Sequence, residues 1–329
     1  MNYRNLALAV ATLGTATLIP SSLNGQSLLY GLTRENSLVT FSDSGATVAP
    51  GAALTGLGAG ESAVALDFRP FTGALYVLSR DTANQGRLYT ADPTTGTLSP
   101  VALDGPSLTI NGSVDIDFNP VAGAGVNALR VLTGAGENYR LAFTAAGATV
   151  NVDSPVNVPG GTTGTNVIAT AYTRNVAGLP GGGGAGGTSQ YAVDSATGML
   201  YRVNPPNNGT LTEPKPLGLD VAAAGGLDIE TGTDRALGLF NVAGVNGLYE
   251  VNLATGAAIL QREVPADIVN FAVALPVVFP PTLVYGLTPT NSLVSFHTDG
   301  TNVADGPVIV GLGVGETAVG LDFRPRNGA

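Results

Sequence analysis

Three aspartates stand at one place in a repeating pattern, and together they could hold a hard cation. Asp67, Asp117 and Asp228 each follow an apolar run, in AVALDF, SVDIDF and GGLDI. Carboxylates converging from several strands suit Ca2+, which takes oxygen ligands. The same residue beside a turn can instead accept backbone N–H bonds and fix a bend. Arg69, two residues after Asp67, offers that carboxylate a cationic partner. A fourth run, IATAYTRN at 168–175, matches the pattern without its Asp, which weakens the case for a ring of ligands. The structural reading is therefore favoured, and Asp67, Asp117 and Asp228 are the weaker candidates for metal ligands.

Other chemistry finds less support. Glu61 with Asp67 recurs as Glu316 with Asp322. Paired carboxylates can hydrolyse glycosides, but duplication of a domain copies a turn carboxylate just as well. His297 is the single histidine and the chain has no cysteine. That excludes disulfides, thiolate nucleophiles and zinc–cysteine centres, and a Ser-His-Asp site would have to use His297. His297 stands where the first copy has Ser42, so it reads as a solvated strand or turn position. The glycines of Gly56–Gly60 have the wrong spacing for a dinucleotide loop, and Gly178–Gly187 lacks the Lys-Ser/Thr of a phosphate loop. The first reads as a turn, the second as a flexible loop that could serve adhesion. Asn111-Gly-Ser and Asn208-Gly-Thr match the glycosylation sequon. Tyr30, Tyr76, Tyr89, Tyr201, Tyr249 and Tyr285 recur within the repeats, as packing between units or as an exposed row for glycans. A formal charge of −10 opposes binding to a phosphate backbone. No residue is assigned a catalytic or cofactor-binding role, and an enzyme is the less favoured reading.

These residues must be positioned by strands. Only 12% of the 329 residues are charged, about half the usual share, and 46 are glycine. That composition suits short strands and tight turns. Hairpins of the type LY-x-x-[D/N]-x-x-TG recur at LYTADPTTG (88–96) and LYEVNLATG (248–256), and in weaker form at YRLAFTAAG (139–147). Each unit reads as four antiparallel strands, the size of a propeller blade. The unit led by Leu29 starts with its second strand, and a matching first strand appears only at Phe271–Leu275. Pairing these two would close a ring and remove an exposed edge. The count is five blades. The alternative is six, with residues 283–329 completing the ring.

A longer repeat surrounds this one. Residues 29–74 and 284–329 align without a gap, with more than half of the positions identical. Both carry YGLT, NSLV, GLG-x-GE and LDFRP. The expected organisation is a propeller domain over 28–276, a Pro-rich linker at 277–282, and a truncated second copy at 283–329. The first 25 residues read as a secretory signal: one positive side chain, an uncharged apolar run from Leu6 to Ile19, then small residues. The mature chain is expected to begin near Gln26. No later run is long and apolar enough to span a bilayer.

The YGLT–NSLV–GLG-x-GE–LDFRP-x-TG-x-LY-x-L combination, followed by LYT-x-D-x-TTG, resembles a bacterial exported family known as domain of unknown function 4394. The resemblance covers about Leu28 to Pro276 and restarts at Leu283. It implies a β-propeller-like fold and export, and it transfers no catalytic residues. The expectation is a non-enzymatic, exported module, periplasmic, cell-surface or extracellular, that binds a glycan or protein at its loops or serves surface architecture. The rivals are a propeller hydrolase with an acidic, cation-binding channel and a purely structural module of a larger surface protein.

Overall fold

The computed structural model of the chain describes residues 22–23, 26–45, 48–121, 128–159, 166–174, 187–223, 225–275, 283–297 and 304–321. Among these the fold is all-β, and the only helix is a single 3-10 turn at Pro206–Asn208. The chain divides into two compact units, Met1–Pro276 and Val277–Ala329.

The first unit contains five sheets, each built on four antiparallel strands. Strand composition follows distance from the centre. Ala128–Thr133 and Val167–Tyr172 are buried at every position, as a strand covered on both faces requires. Outer strands such as Leu211–Pro216 and Ala258–Glu263 are mostly exposed or half-buried and carry charged side chains. Turn chemistry fixes the hairpins. Asp92 Oδ1 accepts the Thr94 and Thr95 amides at 2.8 and 3.1 Å, and Asn252 Oδ1 accepts those of Ala254 and Thr255 at 2.9 and 3.0 Å. Each turn then needs positive φ, supplied by Gly96 (72°) and Gly256 (86°). The recurring [D/N]-x-x-TG string is thus one side-chain-capped turn used repeatedly.

The late strand lies where the repeat pattern placed it. Ile268–Val273 pairs antiparallel with Gln26–Thr33, setting Leu29 opposite Val273 and Tyr30 opposite Ala272. The strand starts three residues before the expected Phe271. The innermost strands then neighbour one another cyclically: Ile268–Val273, Ser62–Phe68, Val114–Asn119, Val167–Tyr172, Leu227–Ile229 and back to Ile268–Val273. Apolar packing is cyclic too. One cluster unites Tyr30, Leu66, Phe68 and Val77 across the first two sheets. Another unites Leu237, Leu239 and Leu248 with Leu29, Phe41 and Phe271, joining the fifth sheet to the first. The cycle closes within residues 26–275.

The second unit repeats the first locally. Leu283–Leu287 pairs with Ser292–His297 in the register of Gln26–Thr33 with Ser37–Ser42, so Val284 faces Phe296 as Leu29 faces Phe41. Asn36 Oδ1 accepts the Ala63 amide at 2.8 Å, and Asn291 Oδ1 accepts the Ala318 amide at 2.9 Å. Burial differs. Leu66 is 1% exposed and its counterpart Leu321 is 39% exposed, while Tyr30 is 2% exposed and Tyr285 is 40%. In the first copy these side chains are covered by the adjoining sheet. Residues 276–282, where the Pro-rich linker is expected, lie outside the described residues. Limited proteolysis followed by mass spectrometry should yield a protected fragment ending near residue 276, with residues 283–329 removed first. Equal resistance of both segments would place 283–329 inside the first domain.

Candidate functional site

Asp67, Asp117 and Asp228 converge. Each offers a carboxylate oxygen, and these atoms lie within 4.8 Å of one another. All three residues are buried, at 2%, 1% and 3% exposure. They occupy equivalent places on the inner strands of the second, third and fifth sheets. Hydrogen bonds establish the equivalence. Asp67 accepts the amide of Phe68 at 2.6 Å with Oδ1, and that of Phe118 on the next inner strand at 2.8 Å with Oδ2. Asp228 accepts the amides of Ile229 and Val273, both at 2.6 Å, in the same way. By this register the two remaining positions of the layer are Ala171 and Ala272. Asp67 and Asp228 do accept backbone N–H bonds, as the structural reading expects, but one bond of each joins neighbouring sheets rather than fixing a turn.

Asp117 differs from its two equivalents. Neither of its carboxylate oxygens has a hydrogen-bond partner. The backbone amide of Tyr172 is close enough to favour its ionised form without making that bond. Arg69 does not supply the expected counter-charge at the centre. Its guanidinium lies over the Phe143 ring at 4.2 Å, with Nη1 donating to the Tyr76 hydroxyl at 3.3 Å.

One layer along the same strand lies a residue that the repeat pattern did not single out. Asp115 Oδ2 accepts the backbone amides of Thr170 at 2.8 Å and Leu227 at 3.0 Å, and Oδ1 accepts the Asn270 amide nitrogen at 3.0 Å. Asn270 Oδ1 in turn accepts the Leu66 backbone amide at 3.0 Å. Two side chains therefore tie together the inner strands of all five sheets. Asp115 sits two positions before Asp117, so both project from the same strand face. Gly226 completes this arrangement. Its φ is +109°, and a Cβ there would lie 2.8 Å from Asn270 Nδ2 and 3.3 Å from Asp115 Oδ1.

Burial governs the charge of these groups. It pushes the Asp115 and Asp228 carboxyls up to about 7. Asp67 and Asp117 rise well above the usual carboxylate range, from burial first and then from repulsion by the other central carboxylates. None of the ion pairs among the described residues includes any of the four.

Glu61 serves a separate network. Its carboxylate accepts Ser79 Oγ at 2.9 Å, the Tyr89 hydroxyl at 2.7 Å and Arg87 Nη1 at 2.5 Å. Burial pushes its pKa up, but these donors and the Gly58 amide outweigh it and hold the group below its ordinary value. Glu61 is thus a structural anion, not half of a catalytic pair with Asp67. Its counterpart Glu316 is exposed and accepts the Gly313 amide at 2.6 Å. Asp322 lies outside the described residues, as does nearly all of Gly178–Gly187. His297 ends the strand Ser292–His297. Tyr30, Tyr76, Tyr89, Tyr201 and Tyr249 are buried, so these five form no exposed row for glycans.

Buried Arg130 was also invisible in the repeat. It bonds Asn138 and Asp153 at 2.7 Å and reaches Asn207 at 2.9 Å, holding the third and fourth sheets together. A cavity of about 410 Å³ lies at the rim of the second sheet, lined by Arg87, Tyr89, Pro100, Leu103 and Ser107 among others.

Five four-stranded sheets in a closed cycle around an axial layer of acids make this a β-propeller with a sealed centre. The chain belongs to the family described as Domain of unknown function (DUF4394), which matches residues 37–272. No curated protein matches the sequence. Among solved structures, a protein from Lactobacillus plantarum is similar at 13% identity and a TM-score of 0.38, covering 85% of this chain and 81% of its own. A catalytically inactive virginiamycin B lyase from Staphylococcus aureus with quinupristin gives 10% identity and a TM-score of 0.39, covering 88% and 87%. The β-propeller domain of Cps50 (Swd1) from Myceliophteria thermophila gives 13% and 0.37, covering 86% and 83%.

Two outcomes follow. Gly226→Ala should lower stability by about 3 kcal/mol and the melting temperature by roughly 10 °C, since it adds backbone strain and displaces the Asn270 amide. An unchanged melting curve would show that the Asp115–Asn270 hub does not hold the ring. The second outcome concerns pH. The unfolded carboxyls lose their protons near pH 4, whereas Asp115 and Asp228 in the folded chain keep theirs to about 7. Between these values the folded state binds more protons, so stability falls as pH rises. In chelator, the melting temperature should be highest in mild acid and drop on going from pH 5 to pH 8. A flat or rising profile would contradict the shifts.

Proposed function

We propose that this chain is a non-enzymatic, exported β-propeller module used for binding or surface architecture. The observation that carries the reading is the burial of Asp67, Asp117 and Asp228. Hydrolysis by paired carboxylates needs the scissile bond to reach both groups. Here the acids that could cleave a bond are sealed within the ring, and Glu61 is committed to three donors. Carboxylates tied to the amides of neighbouring strands act as part of the scaffold. Recognition on a scaffold of this kind falls to its rim and loops. The cavity beside Arg87 and Tyr89 is one accessible concave surface there, suited to a glycan or a protein segment.

Export is supported by the leader-like first 25 residues and by where the first sheet starts. Its second strand runs Gln26–Thr33, so cleavage near Gln26 leaves the sheet's four principal strands intact and, among the described residues, removes the short Ser22–Leu23 pairing. No helix of the described residues is long and apolar enough to cross a membrane.

The test combines fractionation with an activity screen. Exported protein should begin near Gln26 by N-terminal sequencing. It should not hydrolyse p-nitrophenyl esters, glycosides or phosphates, with or without calcium. Cytoplasmic material retaining Met1 would overturn the export reading. Turnover that vanishes in Asp117→Asn, with the melting curve preserved, would overturn the non-enzymatic one.

A further inference from the structure

We propose that the axial layer of Asp67, Asp117 and Asp228 holds one buried Ca2+ that fastens the ring. The first support is convergence. Oxygens sharing a calcium at about 2.4 Å can stand no more than about 4.8 Å apart, and the three carboxylates offer oxygens within 4.8 Å of one another. The second support is independent of that clustering. Asp117 is 1% exposed, yet neither of its oxygens finds a donor. A buried carboxylate with both oxygens unmatched is costly unless something positive meets it. Asp67 and Asp228 already accept an amide on each oxygen and keep a lone pair on each for a metal. Asp117 has its full capacity left, and the layer's other two positions, Ala171 and Ala272, carry no side-chain atom beyond Cβ to occupy the centre.

Chemistry selects the ion. The donors are all carboxylate oxygens, with no nitrogen or sulfur, which disfavours zinc and copper. Magnesium dehydrates reluctantly and demands a near-ideal octahedron at shorter distances. Calcium tolerates irregular oxygen cages, and two positive charges offset most of what three ionised carboxylates bring. Asp115 and Asn270 lie one layer along the axis, and Tyr172 follows Ala171 on its inner strand. The first two are already engaged in the adjacent hydrogen-bonded hub, and the Tyr172 hydroxyl donates to Gln190 at 3.0 Å.

The cation is structural, so its test reads stability and metal content, not turnover. Full-length protein is refolded at pH 7.5 in calcium chloride or in EDTA, desalted, melted, and assayed for metal by mass spectrometry. The calcium-refolded chain should retain about one ion and melt on the order of 5 °C higher. Magnesium should give a much smaller shift. Asp117→Asn removes a charge without breaking a hydrogen bond, so this variant should fold. In EDTA it should melt at or above the parent, and it should lose both the calcium shift and the bound ion. Asp115→Asn, outside the ligand set, should melt lower than the parent yet still respond to calcium. Identical melting in calcium and EDTA with no retained metal would overturn the proposal. So would an undiminished calcium shift in Asp117→Asn.

Discussion

The architecture depends on what satisfies the backbone N–H groups along the free edges of the inner strands. Each of these strands pairs on one side only, and its other edge faces the axis. A buried N–H without an acceptor costs about as much as a lost hydrogen bond and more. No further strand fits at the centre, so side chains of the other inner strands, mostly the adjacent ones, provide the acceptors. Asp67 serves Phe118, Asp228 serves Val273, Asp115 serves Thr170 and Leu227, and Asn270 serves Leu66. An edge that would otherwise invite another chain is thereby finished internally.

This solution concentrates negative charge in a dry place. Carboxylates are the strongest acceptors for amides, which is why they fit here. They are also expensive to bury ionised. The centre therefore keeps its protons to unusually high pH or draws in a positive charge. Either response makes the axis part of the frame.

Much of this was legible in the residues. The [D/N]-x-x-TG turns, the apolar runs and the displaced late strand specify the sheets, because turn chemistry and period-2 patterning act locally. The grouping of Asp67, Asp117 and Asp228 was legible because a repeat superposes them. Asp115 was not, although VDID places it on the same face as Asp117, because no other unit repeats it. Asn270 lies in an apolar strand whose partners are set by the ring, and nothing nearby in sequence marks it. Glu61 read as a turn carboxylate copied with its domain, but the three donors that fix it come from strands 18 to 28 residues away. Arg130 was similarly hidden, since its contact with Asn207 spans 77 residues. What escaped the sequence is convergence over long separations.

The Asp115–Asn270 bond joins residues 155 apart, and the Leu66–Asn270 bond joins residues 204 apart. Such contacts make folding slow, because the loop entropy must be met before the bond rewards it. The last strand is the one that completes both the first sheet and the hub. Until it emerges, the earlier sheets have open edges and unmatched amides, so the unit matures as a whole rather than sheet by sheet. A unit that folds only once its late strand has arrived stays open for longer while the chain is being made.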